Sequence, residues 1–173
     1  GAQLPAEEKG RLREVKRELS ELSLTFGQNN LKDQQRFRLF VDDAAAVEGL
    51  PLSTLAVARE LAEKEGKGEG WLFTLSAPSY FPFMQHCPSS TLRQEMYLAK
   101  MAVGAAGDAY DNRELIRRLV NLRLELAQLL GSKSFAEKVL ARRMAGSTTA
   151  VYGLLDELLA AYKPVAEKEL AAV

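Results

Sequence analysis

A single histidine, His86, and a single cysteine, Cys87, are all the imidazole and thiol in these 173 residues. One imidazole cannot supply the two histidines, one helical turn apart, that an HExxH zinc hydrolase needs. One thiol cannot close an internal disulfide, so the fold does not depend on an oxidising compartment. Charge of one sign is also missing: Lys+Arg and Asp+Glu are 23 each. Nucleic-acid binding needs clustered positive excess, so that balance argues against it. No apolar run approaches the roughly 20 residues that cross a bilayer, so no membrane span is expected. The opening GAQLPAEEKGRLREVKREL has no apolar signal core. The closing EKELAAV stops inside a helical pattern without a capping glycine. Both ends read as boundaries within a longer chain, and the cytoplasm is the expected compartment, with the periplasm left open.

What is present is helical periodicity. At 47% hydrophobic and 27% charged residues the composition is that of a globular domain. Leu12, Val15, Leu19, Leu22 and Phe26 mark one face of a helix over residues 5–29. RFRLFVDD alternates Phe37, Leu39 and Val41 with polar residues, which predicts a strand with one wet face. WLFTLS repeats the pattern with Trp71, Phe73 and Leu75. A helix over residues 53–65, ended by GKGEG, separates the two strands, which are expected to pair antiparallel under helical cover.

APSYFPFMQHC follows, with Pro82 expected in the first turn of a short helix and Tyr80, Phe81, Phe83 and Met84 in the core. Residues 91–103 are apolar nearly all round and predict a central helix. Then comes YDNRELIRRLVNLRLELAQLLGSKSFAEKVLARRMAG. Asp111 and Glu114 resemble a capping box, Leu115, Leu119, Leu122, Leu126 and Leu129 form a stripe, and Gly131 stops the helix. Ser134 and Glu137 repeat the start signal for a second helix. A last helix begins near Ser147 or Thr148 and is expected to bend or break at Pro164. The fold class is mainly α with one small two-stranded antiparallel β element, and residues 1–173 read as a single helical region.

Candidate chemistry is thin. His86 and Cys87 are sequence neighbours whose side chains point apart on a helix or strand, so they read as a half-buried histidine and a core cysteine. GKGEG lacks the spacing of a phosphate-binding loop and leads into a strand, so it reads as a turn. Arg142 and Arg143, beside Met144, read as a solvated pair with substrate or domain contact as the alternative. No catalytic, cofactor-binding or metal-ligating residue is assigned.

The wording of several passages, in order along the chain, resembles the zinc oligopeptidases of the thimet oligopeptidase and peptidyl-dipeptidase family. They are LREVKRELSELSLTFGQNNLKD, DDAAAVEGLP, WLFTLSAPSYFPFMQHC and NLRLELAQLLGSKSFAEKVLARRMA. The resemblance implies a fragment lying upstream of the family's HExxH helix, in the helical half that walls a narrow channel for short peptides. Zinc is then expected in the full-length enzyme and none on this chain. The partners it implies are short peptides and the catalytic domain of the same protein. GQNNLKD and the Tyr110-Asp111-Asn112 start lean toward peptidyl-dipeptidases, with an oligopeptidase A-like endopeptidase as the alternative. A free-standing helical interaction module is the reading from a different class. Either way, the missing partner surface predicts an exposed apolar patch.

Overall fold

No glycine or proline interrupts residues 28–36, and the first helix, α1, runs over Ala6–Arg36, well past the expected end at Asn29. A computed structural model describes residues 4–172. The outermost residues of both end readings, Gly1 to Gln3 and Val173, lie outside the described residues. The backbone divides into two units. One comprises Leu22–Arg117, and the other joins the chain up to Glu21 with everything from Arg118 onward.

In the Leu22–Arg117 unit, strands β1 (Leu39–Val41) and β2 (Trp71–Phe73) form the expected antiparallel pair. Leu39 faces Phe73, Phe40 faces Leu72 and Val41 faces Trp71. The second strand has no wet face: Leu72 and Phe73 are both fully buried. Helix α2 (Leu52–Lys64) packs on β2, as two strands alone require. Gly70 closes the turn into β2, and a Cβ there would sit 2.6 Å from the Phe40 ring and 2.7 Å from the Val41 carbonyl oxygen. Only a residue without a side chain fits.

Helices α3 (Ala77–His86) and α4 (Ser90–Ala102) complete this core. Phe73 and Phe83 meet at 4.6 Å between ring centres, beside Leu39, Val41, Tyr80, Cys87 and Met96. Burying aromatic rings of this size contributes about 2–3 kcal/mol each, enough to offset a local backbone penalty. That explains Pro82, which stands inside α3 and not in its first turn; Pro78 takes the first-turn place. Two other expectations fail here. Phe81 is 59% exposed, two residues from the fully buried Phe83 and so on the other side of α3. Helix α4 is amphipathic and peripheral: Met96 is buried, whereas Tyr97, Leu98 and Met101 face outward.

A buried polar knot ties the later part of α1 to the loop after α4. The Asn112 amide donates to the Asn30 side-chain oxygen at 3.0 Å and the Phe26 carbonyl at 3.3 Å, and its oxygen accepts from Asn29 at 3.0 Å. Asp33 accepts from the Gly104 backbone N–H at 2.6 Å. Gly104 has φ of +72°, and a Cβ there would lie 2.5 Å from the Asn30 oxygen. No described buried side-chain polar atom is left unpartnered.

Helix α5 spans Arg113–Leu129. Asp111 caps its start by accepting from the Arg113 N–H at 2.9 Å. The capping box itself is not formed, because Glu114 turns to Arg117 instead. Its stop is as expected: the Ser132 N–H reaches back to the Ala127 carbonyl at 2.9 Å across Gly131.

In the other unit, Arg11 grips Glu125 with two hydrogen bonds, at 2.5 and 2.9 Å, and Arg118 holds Glu18 at 2.6 Å. The pairs are seven residues apart on each helix and run in opposite order, so these stretches of α1 and α5 lie antiparallel. Leu12 and Val15 on α1 and Leu119, Leu122, Leu126 and Ala127 on α5 are the buried apolar residues there. The guanidinium partners hold Glu125 and Glu18 below the ordinary carboxylate range. Helix α6 is only Phe135–Leu140, capped by the Ser134 hydroxyl, which accepts from Glu137 N–H at 3.1 Å. Helix α7 spans Thr148–Ala171 from a Ser147 cap and continues through Pro164 without a break.

Candidate functional site

The one histidine and one cysteine do not make a site. His86 is exposed at the end of α3, not half-buried as expected. Cys87 is buried and donates from Sγ to the Ala46 carbonyl at 3.3 Å. Burial pushes its thiol up from the usual value, away from the thiolate a nucleophile needs. The glycines of GKGEG form the turn before β2, with Arg59 and Glu63 of α2 beside it. Among the described residues no group of three or more His, Cys, Asp or Glu could hold a metal ion. The donor sets among the described residues therefore do not fit zinc.

What stands out instead is uncovered apolar surface. Leu154, Leu155, Leu158, Leu159, Tyr162 and Val165 share one face of α7, each between 43% and 67% exposed. No residue of α7 is buried. A stripe of that length marks a surface built to meet something.

A second feature was only half visible in the sequence. Arg142 and Arg143 line a groove of about 630 Å³ in the same unit, together with Lys16 of α1 and Lys138 of α6. Leu12 and Val139 supply apolar lining. The Lys138 ammonium also lies 5.5 Å from the Phe135 ring centre. The arginine pair was legible as a sequence feature, but Lys16 lies too far away along the chain for any local pattern to connect them.

The family model for peptidase family M3 matches residues 83–173, more than half of the chain and all of α4, α5, α6 and α7. The chain belongs to that family. Oligopeptidase A of Escherichia coli strain K12 is 38% identical over 175 residues, which cover 99% of this chain and 26% of that protein. The probable cytosolic oligopeptidase A of Arabidopsis thaliana is 36% identical over 165 residues, covering 92% of this chain and 23% of its own length. Dipeptidyl carboxypeptidase of Escherichia coli strain K12 is 29% identical over 173 residues, covering 100% and 25%. The M3 chain thus spans about a quarter of the length of the curated relatives it matches. The matched region includes the Arg142–Arg143 pair and the whole apolar stripe of α7. No helix among the described residues is long and apolar enough to cross a membrane.

Proposed function

We propose that this chain is a noncatalytic region of a peptidase that cuts short peptides in the manner of oligopeptidase A. The observation that carries the reading is the difference in likeness within one organism. Identity to its oligopeptidase A is 38%, and to its dipeptidyl carboxypeptidase 29%, over nearly the same span. This reverses the lean toward peptidyl-dipeptidases suggested by GQNNLKD, which stays as the second reading because the 29% likeness runs over the entire chain.

In this reading residues 1–173 act as one helical region that helps wall the peptide channel. Catalytic zinc belongs to a part of the protein outside these residues, and no step of the reaction is assigned to this chain. The α7 stripe supports that division, because apolar side chains left open in one region are what a neighbouring region of the same protein would cover. The cytoplasm is the proposed compartment, in keeping with the name of the plant relative.

The test uses the longer protein and two peptides of identical sequence, one with a free C-terminal carboxylate and one amidated. An endopeptidase cleaves both. Release of dipeptides from the free form alone would favour the second reading. The present chain, assayed with zinc, is expected to hydrolyse neither. Turnover that survives repurification and scales with this chain would overturn its noncatalytic role. A reading frame that stops shortly after Val173 would replace the peptidase reading with a free-standing helical interaction module.

A further inference from the structure

We propose that the groove between Lys16, Lys138, Arg142 and Arg143 is a binding site for short acidic peptides. It rests on the peptidase reading only in naming peptides as the ligand class. Four cations converge on one concavity, and no acidic residue lines it. The nearest carboxylates in sequence are engaged elsewhere. Glu137 on α6 accepts from the Lys133 backbone N–H at 2.6 Å, and Glu14 and Glu18, which flank Lys16 on α1, are held by Arg11 at 3.3 Å and by Arg118 at 2.6 Å. Among the described residues, none of the four cations forms an ion pair. The groove therefore keeps its positive potential, and concave walls concentrate such a field.

The lining also selects the kind of anion. Arg142 and Arg143 offer planar forks that match carboxylates two bonds at a time. Leu12 and Val139 provide apolar surface that a bare inorganic anion would leave unused and an aliphatic side chain would cover. No aromatic residue lines the groove, so stacked bases have no platform. A polynucleotide also meets a chain with zero net charge. At about 630 Å³ the space is of ligand-pocket size. A peptide that alternates acidic and aliphatic residues meets each of these demands. In a peptidase, such a site would bias the choice of substrate toward acidic peptides without taking part in bond cleavage.

Fluorescence anisotropy tests this with labelled ELDLE and its isosteric neutral partner QLNLQ. The acidic peptide is expected to bind about tenfold tighter at ~20 mM salt and to lose most of that advantage at ~200 mM. Arg142→Gln with Arg143→Gln should abolish the preference while leaving the helical circular dichroism unchanged, since both side chains are exposed. Lys16→Gln provides a second, independent reduction from a different helix. Equal binding of the two peptides, unchanged preference in the arginine variant, or tighter binding of oligothymidylate than of ELDLE would each overturn the proposal. In the longer protein the same arginine variant should raise KM for acidic peptides and leave kcat and the KM for neutral peptides in place. If peptides are hydrolysed with no such KM change, the groove inference falls and the peptidase reading stands. If ELDLE binds selectively but the longer protein hydrolyses nothing, the reverse holds.

Discussion

Helices α5 and α7 repeat apolar residues at the same three- and four-residue steps, yet α5 hides Leu119, Leu122 and Leu126 while α7 hides nothing. The stripes look alike in sequence. They differ in what flanks them: α5 is gripped through Glu125 and Arg118 by Arg11 and Glu18, whereas among the described residues α7 pairs only within itself, Lys163 with Glu167. Apolar periodicity therefore says that a helix has a face to cover, and only charges beyond the stripe say what covers it. α5 carries a structural seam of this chain. α7 carries surface whose partner, in the proposed reading, belongs to the rest of an M3 peptidase.

The comparison breaks most visibly if the covered stripe proves unimportant. Leu122→Ala, at a residue 2% exposed, should lower unfolding free energy by about 2–5 kcal/mol in a urea titration. A cost below ~1 kcal/mol would mean that the seam is not packed as described.

Next in size is the polar knot. Asn112→Ala removes a side chain that serves Asn29, Asn30 and the Phe26 carbonyl together, and should cost about 1–3 kcal/mol. Asn112→Asp is the sharper probe. It keeps the acceptor for Asn29 but presents oxygen to two acceptors, so a cost equal to that of alanine is expected.

The uncovered stripe should then respond little in this chain and more in its proposed context. Leu158→Ala is expected to change the stability of residues 1–173 by no more than ~0.5 kcal/mol. The same substitution should cost about 2 kcal/mol or more in the longer protein, where thermal unfolding reads it. Equal, small effects in both would show that α7 is open surface throughout and would favour the interaction-module reading.

Legibility in the sequence followed the range of the interactions. The starts and stop of α5, α6 and α7 were readable because caps act over three or four residues, as Ser134, Ser147 and Gly131 do. The strand pair was readable from alternation, although not the burial of Leu72, which depends on α2 covering the second face. The end of α1 was misread because Asn29 and Asn30 look like a helix terminus. They are interior residues whose side chains are spent on Asn112, more than 80 positions away. Phe81, Leu98 and Met101 lie outside the core for a related reason: apolar character records affinity for cover, not its presence. The cationic groove was legible only in its arginine pair, since folding alone brings Lys16 to it.

The smallest effect concerns how the two helices begin. α7 starts on the Ser147 hydroxyl, which accepts from the Ala150 N–H at 3.1 Å and carries no charge. α5 starts on the Asp111 carboxylate, bound by the Arg113 side chain, the Arg113 N–H and the Gly107 N–H, which together hold it well below the usual aspartate range. The folded pKa is the depressed one, so in mild acid the unfolded chain takes up this proton first. The stabilisation is complete above the ordinary aspartate value of about 3.9 and is lost as pH falls from there toward the depressed value. Carboxyl-carbon NMR should show Asp111 still ionised where exposed aspartates have titrated. Amide exchange should then loosen at residues 113–116 as the pH is lowered further, with residues 148–151 unchanged. Asp111→Asn should remove the pH dependence at the first site only. An ordinary titration of Asp111, or equal loosening at both helix starts, would erase the distinction between a charged and a neutral cap.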